Sequence, residues 1–389
     1  MKTRVVFVNA GILGMQTFSK YIREAMAADP ALDARHIDLS EQLTWPERAA
    51  RRVVCAPLWP DGLLGLKNLD LARFRREYSA GWRAARRLAV LRRTFDADVL
   101  HFHRQATAYA SVRLMRRVPS IVSIDTTQDI VIDLAASALE RRTYALNARR
   151  DGQIFRAARA IVSTSEWAAG CLRRRYPDCA TPVHVMPSPV RLHFFDERWI
   201  DRRLERSTPG RLPRVLFVGG DFVRKGGPDL LRAWREAELY KHATLDVVSN
   251  WPDIPEDVPG VRIVRGISAY SDDWATLWRE ADVFVLPTLD EAFGQVFQEA
   301  AAAGLPRIGT AINAIPEMVA DGRSGLLVPP GDRARLAAAL RTLVDSPTLR
   351  RDFGRAARVD VTRLASPDDY RARLSALVQS LAPARTGAL

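Results

Sequence analysis

Two series of short apolar runs, each run rich in β-branched residues and separated from the next by helix-patterned stretches, constrain this chain more than any other feature. The first series comprises VVFVNA (5–10), ADVLHFH (97–103), SIVSID (120–125) and AIVSTS (160–165). The second comprises RVLFVGG (214–220), TLDVVSN (244–250), VRIVRG (261–266), ADVFVLPT (281–288) and LPRIGT (305–310). Runs of this length bounded by turn residues read as buried strands, and their alternation with helical stretches calls for parallel strands joined by helical crossovers. After Val190 the pattern gives way to a charged stretch ending in the turn cluster STPGRLP (207–213). A chain of 389 residues also exceeds what one core usually organises. The expectation is an α/β protein of two doubly wound, Rossmann-like domains facing a cleft. Its parts are residues 1–190, a connection over 191–212, residues 213–365, and a C-terminal helix and tail over 366–389. In such sheets ligands bind beyond the carboxyl ends of the strands.

With 47% hydrophobic and 26% charged residues the composition is that of a globular protein, not a disordered one. No run of about 18 uncharged apolar residues marks a membrane span. The N-terminus, MKTRVVFVNAG, reads as a first strand rather than a signal peptide. Cys55, Cys171 and Cys179 show no metal-ligand spacing, and so sparse a count fits a reducing, cytoplasmic setting without disulfides. The net charge of +13 favours anionic partners such as nucleotide phosphates or anionic lipid, although an arginine-rich chain is also what a GC-rich genome produces. Nucleic acid is not expected, because no recognised module or aromatic-basic motif accompanies the charge.

The turn after Val218 reads GGDFVRKGGPD (219–229). Gly219 and Gly220 permit a tight turn and close ligand approach. Arg224 and Lys225 precede a helix starting near Gly227 or Pro228, so a guanidinium, an ammonium and helix-end amides can face one diphosphate. An ordinary solvated loop is the bland alternative. The segment lacks the P-loop pattern, and the first turn, with Gly11 and Gly14, lacks the dinucleotide pattern.

The stretch DEAFGQVFQEAAAAGLP (290–306) sets Glu291 in the loop after a buried strand and Glu299 about one turn into the next helix, with Gly294 at the bend. A carboxylate accepts from two neighbouring hydroxyls, which both ribose and a hexose offer. One glutamate can hold each sugar, with phosphates between them near Gly294. Two unconnected surface charges are the alternative.

At this point the residues resemble a family. EAFGQVFQEAAAAGLP resembles the E-x7-E signature of retaining glycosyltransferases of the GT-B fold, in particular glycosyltransferase family four. GGDFVRKGG and IPEMVADGRSGLLVPPGD (315–332) are similar to segments of the same family, in the same order. The resemblance is close over Arg214 to Asp332 and loose in the N-terminal half. It implies a C-terminal domain for a nucleotide-sugar donor and an N-terminal domain for the acceptor, with no metal and no cofactor beyond the donor. By it, Glu291 contacts the donor sugar, Glu299 holds the ribose, and Lys225 binds the diphosphate and stabilises it as it leaves. Amides near Phe293, Gly294 and Gln295 help fix sugar and phosphates, and Gly11 and Gly14 fit a glycine-bearing acceptor-side loop.

Three departures from the family touch the site. Gly220 stands where an arginine is usual, and Arg224 is the candidate substitute. Asn313-Ala314 replaces a glycine pair. Asp125 occupies the place of a histidine near the donor sugar, with His103 as another candidate catalytic group at a strand end. Hence three readings stay open: a retaining glycosyltransferase acting on a glycan or lipid-linked acceptor in polysaccharide or glycoconjugate assembly, a nucleotide-sugar isomerase or epimerase, and a non-catalytic nucleotide-sugar-binding protein.

Finally, Leu71, Phe74, Tyr78, Trp82, Ala85, Leu88 and Leu91 form a helical stripe among arginines. It is either a crossover helix packed on a sheet or a basic amphipathic helix on an anionic membrane.

Overall fold

The computed structural model describes residues 2–10, 16–39, 45–56, 58, 68–133, 135, 137–204 and 211–383. Gly11 and Gly14 lie outside the described residues. The chain forms two compact units, one of Met1–Pro187 with Asp368–Leu389 and one of Ser188–Pro367.

The first unit is built on six parallel strands, β1 (Thr3–Asn9), β2 (Leu32–Asp38), β3 (Val99–His103), β4 (Ser120–Ile124), β5 (Ala160–Ser163) and β6 (Val183–Val185). Their order is β2-β1-β3-β4-β5-β6. Because side chains alternate along a strand, one run serves two layers. Val6 and Val8 face a core with Leu88, Leu100, Phe102 and Phe155. Val5 and Phe7 face the other, with Ile22, Met26, Val99, Tyr370, Leu374 and Val378. The last helix, Pro367–Leu381, therefore completes the first unit's second layer.

The stripe falls on the helix Ala72–Leu91, and Leu88 is fully buried against the sheet, with Phe74 and Leu91 partly buried beside it. That is the crossover arrangement. Tyr78 and Trp82 stay exposed on the same helix.

The second unit carries β7 (Arg214–Val218), β8 (Thr244–Val248), β9 (Val261–Val264), β10 (Val283–Leu286), β11 (Arg307–Thr310) and β12 (Gly325–Val328), all parallel, in the order β12-β11-β10-β7-β8-β9. β7 and β10 are neighbours from which the chain winds in opposite directions. A sheet of this kind opens a crevice at the carboxyl ends of that pair. The segment 191–204 packs here too, burying Phe195 and Ile200.

Candidate functional site

The crevice of the second unit is where the chain places GGDFVRKGG and DEAFGQ. β7 leads into Gly219–Gly226 and then the helix Gly227–Glu236, while β10 leads into 287–294 and then the helix Gln295–Ala302. Gly226 caps the first helix at φ +77°, and a Cβ there would lie 1.9 Å from the Pro287 carbonyl oxygen. Only glycine lets the two loops approach so closely. Gly294 caps the second helix at φ +87°, with Phe297 and Glu291 where a Cβ would project. The helix dipoles make both ends attractive to anions, while at the first helix the Gly227 amide already donates to the Phe222 carbonyl at 2.8 Å and Pro228 has no N–H to give.

Side chains pin the second loop by its carbonyls. Arg224 donates to the Asp290 carbonyl at 2.6 Å and, through Nε, to Asp221 at 3.2 Å. Thr288 donates to the Asp290 carbonyl at 3.0 Å, and Asn313 Nδ2 donates to the Glu291 carbonyl at 2.9 Å. Asn313 itself sits at φ +51°. It adopts the left-handed backbone a glycine would take and adds a hydrogen bond a glycine lacks. Arg224 thus ties the two loops together, with its side chain still 40% exposed.

At the centre Lys225 Nζ and Glu291 Oε2 form an ion pair, both side chains largely buried. Burial pulls the Lys225 ammonium down to about 7, aided by the neighbouring Arg224, while Asp221 and Asp290 oppose the shift. The Glu291 carboxylate against it favours the charged ammonium. Gly219 packs against the Lys225 stem, whereas Gly220 is exposed, and a Cβ added there would meet nothing within 4 Å.

Glu299 is buried, at 8% exposure, and burial raises its carboxyl to about 7. Its hydrogen bond from the Tyr270 hydroxyl, 3.1 Å to Oε1, works against that rise. Tyr270 follows β9 and escapes sequence reasoning, since an aromatic in a polar turn, ISAYSD (267–272), is its only signal. Phe293 is buried beside the bend, and Gln295 Nε2 donates to the Pro189 carbonyl at 3.2 Å. Glu291, Phe293, Gly294, Gln295, Glu299, Gly219, Gly220, Arg224 and Lys225 thus all belong to the two loops and the helix at the carboxyl ends of the central strands β7 and β10.

His103 and Asp125 lie in the first unit, at the ends of adjacent strands β3 and β4. His103 is buried against Phe18, ring centroids 4.5 Å apart, and burial with the nearby Arg104 pulls its imidazole down to about 3. Arg104 Nε lies 3.9 Å from Asp125 Oδ1, and the Arg104 backbone holds φ +75°. Phe18, His103, Arg104, Ser123, Asp125 and Thr164 line one small cavity. Among the described residues, His103 Nδ1, Asp125 Oδ1 and Thr164 Oγ1 are buried without a hydrogen-bond partner.

Comparison with known proteins accords with this geometry. Residues 45–194 match the family model for Glycosyltransferase Family 4, and residues 212–346 match that for Glycosyl transferases group 1. The chain is 27% identical over 288 residues to a D-inositol 3-phosphate glycosyltransferase of Arthrobacter sp. (strain FB24), covering 67% of this chain and 65% of that protein. Sucrose-phosphate synthase from Thermosynechococcus elongatus shares the fold at a TM-score of 0.75 and 19% identity, covering 98% of this chain and 99% of that one. Anabaena Alr3699/HepE, solved in complex with UDP-glucose, does so at a TM-score of 0.64 and 12% identity, covering 97% and 99%. With two family models matched in order along the chain, and the GT-B fold shared over nearly its whole length, this protein belongs to the group 1 glycosyltransferases of family 4, enzymes that transfer a sugar from a nucleotide-sugar donor.

Proposed function

We propose that the protein is a retaining hexosyltransferase whose second unit holds the donor through Lys225, Glu291 and Glu299, and whose acceptor is a glycan or lipid-linked glycan. The observation that carries the donor assignment is the buried Lys225–Glu291 pair set between two helix N-termini. A buried ammonium needs a counter-charge. Glu291 supplies it in this structure, and a diphosphate supplies it when the donor arrives, freeing the carboxylate for sugar hydroxyls. As the bond from the sugar C1 to the diphosphate breaks, the electron pair leaves on phosphate oxygen beside Lys225, C1 bonds to the acceptor oxygen on the same face, and the acceptor hydroxyl gives its proton to that departing phosphate oxygen. Arg224 keeps the loops in register, and its exposed N–H groups remain for phosphate oxygens. Amides of Gly294 and Gln295 and the turn at Gly219 and Gly220 lie where they can complete the diphosphate cradle.

In the first unit, Asp125 and His103 are the polar groups we assign to acceptor hydroxyls. Burial keeps the His103 imidazole neutral, and it can accept a hydrogen bond at neutral pH. The helix Trp45–Cys55 supports a peripheral contact with an anionic membrane at the cytoplasmic face: Trp45 and Val53 are 74% and 77% exposed beside exposed Arg48, Arg51 and Arg52. Such a helix gains both apolar burial and charge attraction at a lipid surface. No helix among the described residues is long and apolar enough to cross a membrane.

The test is release of nucleoside diphosphate from UDP-, GDP- or ADP-sugars with and without glycan or lipid-linked acceptors, with the product's anomeric configuration read by NMR. Acceptor-dependent release and retained configuration support the proposal. Donor consumption without acceptor would point to an isomerase or epimerase, and binding without turnover to a non-catalytic protein.

A further inference from the structure

Tyr270 stands out because three unfavourable features coincide at one residue: a strained backbone, a tightly wedged ring and a hydroxyl buried against a carboxylate. It is an aromatic side chain at φ +64°, in the left-handed region that bulky residues avoid. Strain of this kind persists only where surrounding structure enforces it, and it clusters at ligand sites. Here the turn is held by Ser271, whose amide and hydroxyl both donate to the Ser268 carbonyl, at 3.2 and 2.9 Å. The ring is wedged against Trp274 at 4.5 Å and Phe194 at 5.1 Å, with the Arg191 guanidinium over its face at 5.4 Å. All of this fixes one hydroxyl, and that hydroxyl points at the buried carboxylate of Glu299.

A phenol has one proton to give. Burial and the neighbouring carboxylate push the Tyr270 hydroxyl well above its ordinary range, so it stays a donor. Its proton goes to Oε1 of Glu299, 3.1 Å away. The carboxylate is then oriented, with one oxygen partly engaged and the other able to accept from ligand.

We infer that Tyr270 is a positioning residue of the donor site, holding the Glu299 carboxylate oriented to accept the paired hydroxyls of the nucleotide ribose. This inference rests on the donor-site reading of Glu299. Among the described residues, ionisable groups near the helix Gln295–Ala302 include Lys225 and Glu291 near its start, Arg358, which donates to the Ala302 carbonyl at 2.7 Å, and Arg191 behind the Tyr270 ring. A phenylalanine at 270 keeps the ring contacts and removes only the hydroxyl.

The experiment is calorimetric titration of the full chain with UDP-, GDP- and ADP-glucose between pH 6 and 9, for wild type, Tyr270→Phe and Glu299→Ala. Losing one hydrogen bond to a carboxylate should raise the donor Kd about tenfold at pH 7. It should also move the pH at which affinity is half lost upward, so that affinity partly recovers at pH 8–9. Any titration of Lys225 is common to wild type and Tyr270→Phe and drops out of the comparison. In turnover assays KM should rise with kcat nearly unchanged. If Glu299→Ala weakens donor binding but Tyr270→Phe shows wild-type Kd and an unmoved pH midpoint, the positioning role is overturned and the donor site stands. Wild-type donor affinity in Glu299→Ala would overturn both.

Discussion

At the scale of single residues, glycines with opposite surroundings separate what the site requires from what it tolerates. Gly226 combines a positive φ with a Cβ position 1.9 Å from a carbonyl oxygen, so Gly226→Ala must push the two loops apart. The backbone conformation alone costs an alanine about 1–2 kcal/mol. Donor affinity in that variant should fall at least tenfold and the melting temperature should drop, both measurable in one thermal-shift titration. Gly220 is exposed and open, so Gly220→Arg should leave the melting temperature within the range of ordinary surface changes, about 0.5 kcal/mol. Its added guanidinium should tighten donor binding in a salt-dependent way; weaker binding would show that this face of the turn does not meet phosphate. Glu291, Lys225 and Gly294 are legible in the sequence because strand, turn and helix frame them. Tyr270 is not, because its importance depends on a contact with a residue 29 positions away. Asn313 reads in the sequence only as an unexplained replacement, because it takes the backbone to show an asparagine in the conformation of a glycine.

At the scale of elements, the strands legible in the sequence are the continuous apolar runs. The others, β2, β6 and β12, include sheet edges at both ends of the first sheet and one end of the second. An edge strand is covered on fewer sides and needs no unbroken apolar run, so LDARHID (32–38) passes for a loop. Helix faces are harder still. The helix Ala72–Leu91 meets the helix Ala145–Ala157 through a buried polar cluster of which periodicity gives no hint. Tyr109 Oη lies 2.6 Å from Glu77 Oε2 and 2.9 Å from Asp151 Oδ1, and Gln128 donates to Asp151 Oδ2 at 3.1 Å. The phenolic proton serves one of the two carboxylates, while Asn147 Nδ2 at 2.6 Å and Arg73 Nε at 3.2 Å give Glu77 partners of its own. Burial, and then the nearby Glu77, raise the Asp151 carboxyl well above its ordinary range. A carboxyl raised in the folded state contributes stability that is complete below its unfolded value near 4 and lost as pH rises from there through its raised folded value. Wild type should therefore lose melting temperature, relative to Asp151→Asn, as pH rises from about 4. The asparagine mimics the protonated acid and removes this dependence, so parallel pH profiles for the two proteins would refute the assignment.

At the scale of the whole molecule, the chain leaves its first unit near Pro187 and re-enters it at Asp368. The reason is local: the first unit's second layer lacks a helix until Tyr370, Leu374, Leu377 and Val378 arrive to cover Val5, Phe7 and Ile121. Each such side chain contributes about 1.5–3 kcal/mol on burial, and four together approach the net stability of a domain. Truncation after Ser366 should unfold the first unit, seen as a lost thermal transition, while the second unit keeps its donor affinity. A truncated chain that melts as wild type does would show that the helix is dispensable. Two sheets and their helices are legible from alternation alone; this return of the chain is not, since nothing in DDYRARLSALVQSL (368–381) says which sheet it will cover. That the loops after β7 and β10 hold a nucleotide sugar is tested most directly by calorimetric titration of UDP-, GDP- and ADP-sugars into wild type, Lys225→Ala and Glu299→Ala. Wild type should bind one nucleotide class saturably, and each variant should bind it at least tenfold more weakly, by about 1.4 kcal/mol. Equal affinity in all three proteins would contradict it.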